Sequence, residues 1–112
     1  MDERERILTE NYLEYYDVAE EAFKRAKWNS ATTLFFKAIA ALCDLVILRK
    51  DGAVPSSHAA RFRALEERHK ELYVIVDRDF PFYQDSYTHK MDKEAAQLLK
   101  DDADTIKEML GL

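Results

Sequence analysis

The stretch Ala31–Leu48, ATTLFFKAIAALCDLVIL, constrains this chain more than any other. It is apolar on nearly every side, interrupted only by two threonines, Lys37 and Asp44. As a helix it spans ~27 Å. A helix apolar all round is enclosed, either by a bilayer or by other helices. A bilayer does not suit it. A membrane span is ~20 residues with few or no charges, and each charge near the bilayer centre costs ~3 kcal/mol. Lys37 and Asp44 both lie inside the run. The opening residues, MDERERILTE, are charged where a signal peptide would begin its apolar region. The expectation is therefore no membrane and a cytoplasmic protein, with the run at the centre of a helical bundle.

The rest of the chain fits that picture. A length of 112 residues reads as one domain, 1–112, able to bury a core without disulfides or metals. Two glycines and two prolines suit long helices with few turns. The single cysteine, Cys43, falls in the most apolar segment and reads as a buried, inert thiol. A net charge of −5 argues against general binding to a nucleic-acid backbone but leaves room for a local basic patch.

The expected fold is all-α, an up-and-down antiparallel bundle of four main helices with a short extra helix or turn near 79–90. The first helix runs from about Glu3 to Lys27, with Leu8, Tyr12, Tyr15, Ala19, Ala22, Phe23 and Ala26 at helical spacing. Asn29 or Ser30 caps the second helix, which continues to Lys50 and stops at Gly52. Lys37 and Asp44 share one face, either a solvent-facing stripe or a polar spot at a subunit interface. Ser56 or Ser57 caps a third helix that reaches about Val76, with Phe62, Leu65, Leu72, Tyr73 and Val76 inward and Arg63 paired to Glu67. Pro81 is expected only in the first turn of a short helix. The last helix, about Asp92 to Leu110, turns Ala95, Ala96, Leu99, Ala103, Ile106 and Leu110 inward. The second helix has more apolar faces than one such bundle easily covers, which predicts a homodimer.

Recognisable catalytic signatures are few. The sequence has no glycine-rich phosphate loop, no CxxC and no HExxH. His58, His69 and His89 match no metal-ligand spacing. Glu66 precedes His69 by three, but a di-metal bundle site needs two such pairs. No metal and no cofactor is expected.

The order of features is nevertheless distinctive. AEEAFKRAK lies in the amphipathic first helix, KWNSA forms the break, and LFFKAIAALCDLVILRKDGAVP is almost wholly apolar. SSHAARF opens the third helix, YQDSYTHKMD follows late, and KEAAQLLKDDADTIKEML closes the chain. From about Glu14 to Leu110 this resembles the HEPN domains (higher eukaryotes and prokaryotes nucleotide-binding), and looks closest to the small stand-alone prokaryotic type. The resemblance implies a dimerising helical bundle connected to RNA or nucleotides. Many such domains are metal-independent ribonucleases. Others partner a minimal nucleotidyltransferase in toxin–antitoxin pairs. Active members use an Arg, four to six residues and a His, the histidine as acid or base and the arginine steadying phosphate charge.

Arg63 and His69 have that spacing, with ALEER between them. On a continuous helix, however, six steps set them ~120° apart and ~9 Å along the axis, so they do not converge. Arg78 and His89 have ten residues between them, outside the pattern. These four are the catalytic candidates. Arg78, Tyr83, Asp85, Tyr87 and His89 form a second set, for nucleotide or RNA binding, since tyrosines stack on bases and arginine takes phosphate. A plainer assignment packs Tyr83 on Tyr87 and pairs Arg78 with a local Asp. The leading expectation is a HEPN-like binding or accessory module rather than an enzyme. A metal-independent endoribonuclease and a structural protein–protein interaction bundle are the alternatives.

Overall fold

The computed structural model describes residues 2–112. They form five helices and, among the described residues, no strand: α1 Glu3–Lys24, α2 Trp28–Asp51, α3 His58–Arg68, α4 Lys70–Asp85 and α5 Lys93–Met109. The all-α bundle expected from the sequence is present.

α2 is the axis of the molecule. Every residue from Ala38 to Leu48 is buried, including Cys43 and Asp44. By length and composition α2 would cross a membrane, but 83% of its most apolar window is buried inside the protein. The other helices cover this stretch, while Lys37 and several residues near the start of α2 stay partly open. Cys43 is fully enclosed, and burial pushes its thiol up to about 12, which leaves it protonated and inert.

Helix directions follow from paired contacts. Arg49 near the end of α2 meets Glu5 near the start of α1, so these two are antiparallel. Tyr16 bonds Asp104, and Lys100 approaches Glu20, setting α1 against α5 in opposite senses. Asn29 at the start of α2 bonds the Ser86 and His89 carbonyls just past the end of α4. α1, α2, α4 and α5 are therefore the four up-and-down helices. The additional short helix is α3, while the region near 79–90 holds the end of α4 and then the turn at 86–89. It lies parallel to α2, as Arg61 meets Asp44 and Arg68 meets Asp51. The connection 52–57 must run back along α2, and six extended residues reach ~20 Å, enough to cover eleven helical residues.

Four local expectations change. α2 begins at Trp28 with no side-chain cap; Asn29 instead ties down the α4–α5 turn, also accepting from the Met91 N–H at 2.9 Å. The helix expected to reach Val76 breaks at His69, whose φ of −140° and ψ of 60° are not helical. Pro81 lies inside α4. It deprives the Asp77 carbonyl of its helical partner, and both residues are exposed, so water can take the bond. The Arg63–Glu67 pair does not form; Glu67 takes Arg68 at 2.9 Å. Other local signals hold. Ser57 caps α3 through the Ala60 N–H at 3.0 Å, Asp92 caps α5 through the Ala95 N–H at 2.9 Å, and Gly52 ends α2 at φ 83°.

Candidate functional site

The polar residues inside the apolar helix explain where a site forms. Asp44 could not be buried alone, because an isolated carboxylate in a low-dielectric interior is far too costly. Its partner is Arg61, one turn into α3. Arg61 Nε donates to Oδ1 at 2.8 Å and Nη2 donates to Oδ2 at 3.0 Å. Burial works against the Arg61 charge, and the Asp44 hydrogen bonds and charge outweigh it, so its basicity rises. The expected solvent-facing stripe through Lys37 and Asp44 is thus half wrong: Asp44 is interior, and only Lys37 reaches outward.

The third Arg61 nitrogen sets the next residue. Nη1 lies 2.9 Å from His58 Nδ1, and a guanidinium only donates, so Nδ1 is the acceptor and carries no proton. Burial first, then the positive charges of Arg61 and Lys37, hold His58 below the usual histidine range. Its ring packs among aromatics, with centroids 5.2 Å from Phe80, 5.7 Å from Tyr83 and 6.4 Å from Phe36. Phe36 and Tyr83 stack at 4.8 Å.

These side chains line a cleft of 310 Å³. α1 supplies Leu8, Asn11 and Tyr15; α2 supplies Phe36, Lys37 and Asp44; α3 supplies His58 and Arg61; α4 supplies Tyr83. Lys37 Nζ sits 6.0 Å from the Tyr83 ring centroid. Among the described residues no carboxylate pairs with it. With Arg61 and Asp44 compensating each other and His58 neutral, Lys37 is the one uncompensated charge. The arrangement brings a cation, hydrogen-bond donors and the partly exposed Tyr15 and His58 rings into one concave place, the features that hold a small ligand.

Of the catalytic and binding candidates named from the sequence, only Tyr83 lines this cleft. Tyr87 touches it indirectly: the two hydroxyls are 2.9 Å apart and the rings 5.6 Å apart edge to face, which is the plainer assignment of that pair. The Tyr87 hydrogen bond first, then burial, push Tyr83 up to about 12. Arg63 and His69 are not brought together. Arg63 is exposed beside Phe62, Glu66 and Asp77, while His69 Nε2 lies 3.2 Å from Asp51 Oδ2 at the α3–α4 junction. Arg78 is committed to carboxylates, Asp102 at 2.8 Å and Asp79 at 3.4 Å. Asp85 and His89 are exposed around the turn after α4, joined by the His89 N–H to the Asp85 carbonyl at 2.8 Å. Lys37, Asp44, His58 and Arg61 are the polar residues of α2 and α3 that line the cleft beside Tyr83. Among the described residues, no group of three or more His, Cys, Asp or Glu side chains converges as a metal set.

A second polar cluster lies between α4 and α5. Asp79 is fully buried, and its Oδ2 has no hydrogen-bond partner. Burial first, then the hydrogen bond and charge of Asp102, raise Asp79 to about 8, against the pull of Arg78.

Comparison with known proteins finds no match: no family model, no curated protein and no solved structure aligns with the chain.

Proposed function

We propose that this chain is a helical binding module for nucleotides or single-stranded RNA, HEPN-like in character, which engages phosphate and base through the cleft between α1, α2, α3 and α4. The single observation that carries this reading is Lys37. It is an uncompensated cation beside the stacked Phe36 and Tyr83 rings and next to the Arg61–His58 pair. A phosphate pairs with the ammonium, and an unstacked base meets the Tyr15 and His58 rings, which line the cleft and are at least partly exposed. The net charge of −5 argues against general attraction to a phosphate backbone, which suits a small or single-stranded ligand better than a duplex. A homodimer and a minimal nucleotidyltransferase partner belong to the reading through the family resemblance. Ile7 and Val18, both exposed on one face of α1 next to the cleft, give a second copy an apolar place to pack. The test is binding of a fluorescent single-stranded RNA and of a mononucleotide to wild type and to Lys37→Ala. Binding lost in the variant supports the module, and equal binding by both proteins removes the cleft from it.

One observation favours a second reading, a metal-independent endoribonuclease. Such chemistry needs an arginine and a histidine within reach, and Arg61 and His58 stand 2.9 Å apart. RNA cleavage in EDTA that disappears in both His58→Ala and Arg61→Lys would establish it. RNA left intact by the wild-type protein leaves the binding module.

A further inference from the structure

The charge of the cleft narrows the ligand. The groups facing His58 are Arg61 on its own helix, Lys37 and Asp44 from α2, Tyr83 and Phe80 from α4, and the uncharged Asn11 and Tyr15 across the cleft on α1. Arg61 and Asp44 cancel. The cleft therefore presents one positive charge with His58 neutral and two with it protonated. A phosphodiester carries one negative charge, whereas a terminal phosphomonoester carries ~1.5 to 2 near neutral pH.

We propose that the cleft takes a terminal phosphomonoester, the phosphate end of a nucleotide or strand, and that His58 takes up a proton as it binds. The proposal rests on the nucleotide-binding reading above and specifies which phosphate it recognises. The hydrogen bond from Arg61 Nη1 to His58 Nδ1, 2.9 Å long, is the device. While Nδ1 accepts from Arg61 it has no lone pair for a proton. A phosphate oxygen that takes the Arg61 N–H releases Nδ1, and the added negative charge then favours the imidazolium. The proton comes from solvent, no bond within the ligand breaks, and the protonated ring becomes a donor to the same phosphate. The volume of 310 Å³ is at the small end of the range for small-molecule sites, the scale of a mononucleotide rather than of a duplex.

The experiment is isothermal titration calorimetry of the full chain near pH 7, in two buffers of different ionisation enthalpy. The ligands are adenosine 5′-monophosphate, the dinucleoside phosphate ApA and a single-stranded RNA oligomer without terminal phosphates. The expected result is tighter binding of the monophosphate than of ApA, by about tenfold or more for one added ion pair in the cleft, with net proton uptake. His58→Gln should lose the uptake and bring the monophosphate down to the ApA level. Because uptake is read in the wild-type protein, a variant that fails to fold leaves the test intact. Equal binding of the monophosphate and ApA without uptake overturns this inference while the binding module stands. Uptake that persists in a folded His58→Gln overturns it as well, since the proton would then be on the phosphate. No binding of any of the three ligands ends the nucleotide reading itself.

Discussion

Arg61 holds Asp44 by two hydrogen bonds, 2.8 and 3.0 Å long, and both side chains are nearly enclosed, at 12% and 10% exposure. The pair fixes α3 against the centre of α2 and thereby places His58 over the Phe36, Phe80 and Tyr83 rings. Removing one partner strands a buried charge. Asp44→Ala is expected to cost about 3–5 kcal/mol in guanidinium unfolding. The Asp44→Leu, Arg61→Met double variant should cost less than Asp44→Ala, because it leaves no charge behind. A double variant less stable than Asp44→Ala contradicts this account of the pair.

Asp79 makes stability depend on pH in an unusual direction. Its value in the folded protein, about 8, lies above its ordinary value, so the native state binds more protons than the unfolded chain between the two. The contribution of this protonated carboxyl is complete below the ordinary carboxylate range and is lost as pH rises through 8. Asp79→Asn keeps the shape without the titration. Its melting temperature should exceed that of wild type increasingly from pH 5 to pH 8.5, and a constant difference would show that Asp79 does not titrate in this window.

Asn29 joins the start of α2 to the α4–α5 turn by three hydrogen bonds, to the Ser86 and His89 carbonyls at 2.9 and 2.7 Å and from the Met91 N–H at 2.9 Å. Asn29→Ala should lower stability by about 1–3 kcal/mol. Hydrogen exchange should quicken at residues 86–92 ahead of the rest of the chain. Uniform exchange across the molecule would mean that the contacts do not hold this turn in particular.

Pro81 interrupts the hydrogen-bond ladder of α4 on its exposed side. Pro81→Ala restores the bond to the Asp77 carbonyl and should stabilise the fold by about 1–3 kcal/mol in thermal or guanidinium unfolding. A loss of stability would show that the proline stiffens a segment that needs it.

How much of this was legible beforehand differs by element. α2 and α5 could be read because burial dictated their patterns: an apolar run in one, and in the other the stripe Ala95, Ala96, Leu99, Ala103 and Ile106, all buried. The break at His69 could not be read. RHKEL contains neither glycine nor proline, and the kink answers to tertiary needs: the backbone turns where His69 reaches Asp51 and where Arg61 must lie beside Asp44. Pro81 misled in the opposite direction, because local propensity yielded to the packing of Leu72, Val76, Asp79 and Tyr83 on one helix face. For the site, spacing drew attention to Arg63 and His69, while the informative signal was Asp44. A carboxylate inside an apolar helix requires a buried cation, and searching the next helix for one leads to Arg61 and from it to His58.

The central claim is that the cleft around Lys37 holds a phosphate-bearing ligand. The most direct measurement is a ¹⁵N-resolved NMR titration with adenosine 5′-monophosphate. The account predicts shifts concentrated at Asn11, Lys37, His58, Arg61 and Tyr83, which vanish in Lys37→Ala. Shifts centred on Arg63, His69 or Arg78, or none at saturating ligand, would contradict it.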